Sequence, residues 1–164
     1  MLILESPHKH EYCYKNGNRL LPKTPAQGNT GRHIGQYLDD VISKISPPPP
    51  NGRYQLIISN PIPYMCSLGV FNSALNSTTR NAVWLAIWNY RVGGSLIFQD
   101  EFIARCQRYK PRYIINCCTR NLKKNVRILL CNNLSTINPT LNLYEANHPS
   151  VQWGKQNFGI KKVI

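Results

Sequence analysis

The sequence predicts an α/β protein: three layers, α/β/α, with a central four-stranded, mostly parallel sheet. Three observations carry this expectation. Short apolar runs recur at residues 1–5, 54–59, 113–118 and 141–146, each of strand length and most of them bounded by Pro, Gly or Asn. Segments with helical spacing of apolar residues separate them. Strands that alternate with helices imply a parallel sheet covered on both faces. The 164 residues form one domain in this reading, 1–164, long enough for a core of its own.

Taken in order, Met1–Glu5 is the first strand, an apolar run that ends on a carboxylate and a proline. Residues 9–30 are polar and rich in Gly, Pro, Lys and Asn, and read as a long active-site loop, since loops of that length in compact domains are often functional. Thr30 can cap a helix from about Gly31 to Ile45, where Ile34, Tyr37, Leu38, Val41, Ile42 and Ile45 recur at helical spacing. The Pro47–Pro50 run stops it and makes residues 46–53 a stiff surface connection. Tyr54–Ser59 is a buried strand ending at Asn60-Pro61. A helix follows over Arg80–Tyr90, with Val83, Trp84, Ile87 and Trp88 along one side, and a short one over Glu101–Tyr109. Pro111 precedes the strand Tyr113–Cys118, Asn121–Leu130 is the next helix, and Leu141–Ala146 is a strand ending at Asn147-His148. There is no internal repeat.

Lysine and arginine number 20 against 7 acids, a formal charge of +13. Such an excess attracts a polyanion, with affinity that falls steeply as salt rises. The six cysteines, at 13, 66, 106, 117, 118 and 131, show neither CxxC nor paired zinc-ligand spacing. They read as reduced and structural, which suits a cytoplasmic protein, nucleoid-associated in a bacterium or nuclear in a eukaryote. No secretory leader and no apolar run of membrane-spanning length occur, so no membrane partner is expected.

In open parallel sheets the ligand lies beyond the carboxyl ends of the strands. Glu5, Asn60, Thr119 and His148 each fall just past a predicted strand end, so all four are expected to converge on one crevice. A carboxylate beside an imidazole suits hydrolysis of a bond held there.

Glu5-Ser6-Pro7-His8 followed by Glu11 resembles the first motif of the uracil-DNA glycosylase superfamily, in the GEAPG...E form of its iron–sulfur branch. Pro25-Ala26-Gln27-Gly28-Asn29-Thr30-Gly31 is similar to that branch's PFxGxxG loop, Ile57–Asn60 to the strand ending in the base-reading asparagine, and Asn147-His148-Pro149-Ser150 to the HPS motif. The matches run in the right order over nearly the whole chain. The resemblance implies a uracil-DNA glycosylase-like fold and a monofunctional DNA glycosylase, since no lysine occupies a matched position. Glu5 would orient water or offset positive charge on the sugar, and His148 would donate to the leaving base. Pro7, His8, Ala26 and Asn60 would hold the flipped base, Asn60 offering a donor and an acceptor to its edge. Gly28, Gly31, Arg32, Thr119, Arg120, Ser150, Gln152, Trp153 and Lys155 would contact DNA, with Trp153 as a wedge or as core.

Departures from the pattern sharpen the expectation. Relatives carry a stacking ring where this chain has Ala26, and Leu4 and His8 stand in place of glycines. A missing ring costs stacking of about 1–3 kcal/mol per base and opens volume, so a modified or bulky base is expected, in anti-phage defence or base-excision repair, unless His8 or Tyr14 supplies the ring. The iron–sulfur cysteine pattern is absent, so neither cluster, metal nor other cofactor is expected, and DNA, single- or double-stranded, is the partner of a monomer. Ile3–Pro7 also resembles the opening of the Toprim domain, but that chemistry needs an Asp-x-Asp, and Asp39, Asp40 and Asp100 are the only aspartates. The rival from another class is a catalytically silent nucleic-acid-binding module of the same fold. A nucleotide or nucleoside hydrolase would need less positive charge.

Overall fold

A computed structural model describes residues 1–7, 11–15, 19–64, 66 and 77–164; at 14, 15, 19, 20, 22, 77, 120 and 121 only the backbone is described. The central sheet is built from β1 (Leu2–Ile3), β4 (Ile58–Ser59), β7 (Tyr113–Asn116), β8 (Asn142–Glu145) and β9 (Lys161–Lys162). Their order is β4-β1-β7-β8-β9, and all pair in parallel except β9, which runs antiparallel to β8 at the edge. The sheet is therefore mixed, mostly parallel and five-stranded, one strand wider than expected. The remaining described strands form two antiparallel pairs, β2 (Tyr12–Lys15) with β3 (Arg19–Pro22) and β5 (Arg91–Val92) with β6 (Ser95–Leu96). Helices are α1 (Asn29–Ser43), α2 (Ser77–Trp88), α3 (Ile97–Tyr109), α4 (Arg120–Asn132) and the short α5 (Leu134–Ile137), with a 3₁₀ turn at Trp153–Lys155.

Alternation along the strands assigns each side chain to one face. Ile3, Ile114 and Leu143 face a cluster with Trp84, Trp88, Phe102, Leu122 and Val126 from α2, α3 and α4. Leu2, Leu4, Ile115, Tyr144 and Ala146 face α1, through Ile34 and Val41, and the C-terminal segment, through Trp153 and Phe158. Glu5 continues the parity of Ile3 and so emerges on the α2 side.

Three expectations are corrected. Residues 9–30 are not one irregular loop, because Tyr12–Lys15 and Arg19–Pro22 pair antiparallel, and Tyr12 Oη donates to the Pro63 carbonyl at 3.4 Å. The strand expected over Tyr54–Ser59 is a sheet strand only at Ile58–Ser59, since β1 offers pairing partners at Leu2 and Ile3 alone. Tyr54 and Leu56 are exposed rather than buried. Helices α2 and α3 each begin three or four residues ahead of the expected starts, at Ser77 and Ile97.

Candidate active site

Strand register brings the expected residues to one end of the sheet. Ile3 is level with Ser59 on one side and Asn116 on the other, and Asn116 with Glu145. The ladder continues through Leu4 N–H to the Ser59 carbonyl at 2.9 Å, Cys117 N–H to Ile3 at 2.8 Å and Ala146 N–H to Asn116 at 3.0 Å. One or two residues further along, the chain supplies Asn60, Glu5, Thr119 and His148 from four adjacent strand ends. The order reverses direction at β1 and β7, the place where such sheets open a crevice.

Glu5 is buried and its carboxylate is held from two sides. Thr119 Oγ1 donates to Oε2 at 2.5 Å, and the Arg80 guanidinium lies 3.5 Å from Oε1. Thr119 is the N-cap of α4 yet makes no side-chain cap bond; its hydroxyl serves Glu5 instead. Trp84, one turn beyond Arg80 on α2, donates its indole N–H to the Glu5 carbonyl at 3.0 Å. Backbone and carboxylate are both fixed, as a preorganised group requires.

His148 is held by its own loop. Nδ1 lies 2.9 Å from Ser150 Oγ and 3.2 Å from Ser150 N. A backbone N–H can only donate, so Nδ1 accepts and a neutral ring carries its proton on Nε2. Burial pushes the imidazole below its ordinary 6.5; Glu5 opposes that shift, while Lys123 and Arg80 reinforce it. The neutral ring is thus the form present at neutral pH, a donor through Nε2. Lys123, in the first turn of α4, donates to the Ala146 carbonyl just ahead of this loop.

Asn60 carries the other notable feature. Its Oδ1 is buried and has no hydrogen-bond partner among the described residues. Leaving such an acceptor unpaired costs about 1–3 kcal/mol, and a ligand with a donor edge would remove that cost. Cys66 and Cys118 also lie within the electrostatic reach of Glu5; burial pushes Cys66 up to about 11 and Cys118 well above 9.0. They are neutral packing thiols, not nucleophiles.

The remaining expected residues divide. Pro7 is buried beside Glu5 in sequence, Gly28 precedes α1 and Arg32 is exposed on its first turn. Gly31 is required by a close approach: a Cβ there would sit 1.7 Å from the Ala26 carbonyl oxygen. Ser150 serves His148, Gln152 accepts from Asn157 at 3.4 Å, and Lys155 is exposed. Trp153 is wholly buried, with its indole N–H on the Asn147 carbonyl at 2.7 Å. It is core and not a wedge, because a wedge must protrude. Ala26 is also buried, packed in the cluster of Leu4 and Ile34 at a φ of 57°. Its small size therefore answers to packing, and does not by itself measure room for a base. His8, and the side chains of Tyr14 and Arg120, lie outside the described residues.

Four contributors were not expected from sequence: Arg80, Trp84, Lys123 and His33. Arg80 and Trp84 carry a weak signal, being four apart on one helix and hence on one face. His33 is buried, with Nδ1 2.7 Å from the Pro149 carbonyl, so it donates and ties α1 to the His148 loop. Gly154 admits that ring, since a Cβ at 154 would stand 2.7 Å from His33 Cε1. Among the described residues no cluster of His, Cys, Asp and Glu could hold a metal ion, and no helix is long and apolar enough to cross a membrane. No protein-family model, curated protein or solved structure matches the chain.

Proposed function

We propose that the chain is a monofunctional DNA glycosylase, hydrolysing the N-glycosidic bond of a base flipped into the crevice. The observation that carries this reading is the presence of a clamped carboxylate, Glu5, and a neutral imidazole, His148, at the carboxyl ends of β1 and β8, on either side of β7. As the bond to the base lengthens, positive charge grows on the sugar and negative charge on the base. The Glu5 carboxylate offsets the first and orients a water towards the sugar carbon. His148 donates through Nε2 to a carbonyl oxygen of the departing base. Water adds to the sugar, its proton passes to Glu5 or solvent, and the base leaves with the bonding pair. The unpaired Asn60 Oδ1 would accept from the base edge.

A modified base, rather than uracil, is proposed on the resemblance alone, whose relatives carry a stacking ring where this chain has Ala26; the burial of Ala26 in the core adds no support to it. Defence against phage with modified DNA, or base-excision repair, is the setting proposed for it. The positive charge of +13 equally favours the second reading, a silent nucleic-acid-binding module.

The test incubates wild type and a Glu5→Ala/His148→Ala variant with uracil-containing DNA and with phage DNA carrying modified cytosines. Released bases are identified by mass spectrometry. Release by wild type alone, with the variant down by about 100-fold or more, supports the glycosylase. Tight DNA binding by both proteins without release from any DNA would leave the binding module.

A further inference from the structure

We propose that nucleic acid lies along the flank formed by α4 and the edge strand β9, its phosphates taken by Lys124, Arg127 and Lys161. The proposal rests on the crevice for its direction and on the flank itself for its chemistry. Charge is segregated along the chain: residues 112–164 hold eight lysines and arginines and a single acid, Glu145. The fold places four of them, Lys123, Lys124, Arg127 and Lys161, along α4 and β9. Lys161 stands opposite Glu145 and Lys162 opposite Tyr144, and successive strand residues point to opposite faces, so Lys161 shares the α4 face with Glu145 while Lys162 lies on the α1 face with Tyr144. Arg127 reaches Glu145 at 3.3 Å from α4. One carboxylate thus faces two cations, and the flank keeps a net positive charge.

That charge leads towards the crevice. One turn before Arg127 stand Lys123 and Lys124, and Lys123 bonds the Ala146 carbonyl two residues ahead of His148. A polyanion on this flank would run from the β9 edge to the His148 loop. The α3 flank is different. Its helix carries Asp100 and Glu101, and Arg105 is engaged by Glu101 at 3.8 Å and by the Pro61 carbonyl at 3.3 Å. Lysines on an edge strand also discourage edge-to-edge pairing of sheets. That role does not need the cations of α4, and it makes a different prediction.

Binding of fluorescent single-stranded and duplex oligonucleotides is measured across a salt series. The proteins are wild type, Lys161→Gln, Lys124→Gln, and Arg53→Gln, an exposed cation on the proline-rich connection. On duplex, the slope of log K against log salt is expected to shrink by about 0.9 for each phosphate no longer neutralised, alike for every sequence. Arg53→Gln should keep the wild-type slope. Unchanged slopes in the lysine variants, or an equal change in Arg53→Gln, overturn the proposal. So does self-association of Lys161→Gln with its slope intact, which would make the lysine an edge guard. A wild type that excises no base, with slopes that still fall in the lysine variants, sinks the glycosylase and leaves the flank standing.

Discussion

At the amino end of the sheet, a groove of about 500 Å³ runs between α1, the 49–57 segment and the α3–β7 turn, lined by Leu38, Ile42, Tyr54, Leu56 and Tyr113. At the carboxyl end, Glu5, Asn60, Thr119 and His148 meet with Arg80 and Lys123 around them. The amino end has the volume of a small-molecule site, but among the described residues its lining sets no imidazole beside its carboxylate, Asp39. The carboxyl end gathers groups that hold one another in place, keeps His148 neutral by burial, and leaves one acceptor, Asn60 Oδ1, without a partner among the described residues. Convergence of chemistry, not room, therefore locates the candidate site. The cause lies in the topology: parallel strands deliver four chain segments to the same end, where α4 also begins.

The comparison breaks most visibly at Asn60. Asn60→Ala is expected to lower kcat/KM on the preferred base by about 1–3 kcal/mol, the worth of a good side-chain pair with a base edge, and to weaken the preference between bases. Equal kcat/KM for every base in wild type and variant would remove Asn60 from recognition.

A second contrast uses protons. The His148 pKa is lowered in the folded chain, so the fold disfavours its charged form. Stability from this group is fully present above 6.5, the unfolded value, and is lost as pH falls through the lowered folded value. Wild type should lose Tm between neutral pH and pH ~5 more steeply than His148→Asn, and its excision rate should fall on the same side as Nδ1 gains a proton. Parallel Tm curves for the two proteins would contradict the neutral, buried imidazole.

The smallest effect belongs to the amino end. Leu56→Ser, at a half-exposed side chain, should change stability by no more than about 0.5 kcal/mol and leave excision untouched. A clear loss of excision would draw the groove into the function and undo the contrast.

Sequence alone is enough for the strand–helix alternation, because apolar period and turn residues are local signals. Strand ends, used as landmarks, also point to Glu5, Asn60, Thr119 and His148. Their mutual placement follows from register, which extends two-residue strands such as β1 into a common ladder. Tertiary structure decides the rest. Arg80 and His33 look like ordinary helix residues until α2 and α1 are packed against the sheet. Trp153 and Ala26 carry the letters of a wedge and a pocket wall, yet burial assigns both to the core. The edge strand β9, only two residues long, has no pattern of its own to announce it. Local composition determines which segments form elements. Which side chains meet depends on residues far apart in the chain, and those pairings are not written in any short window of it.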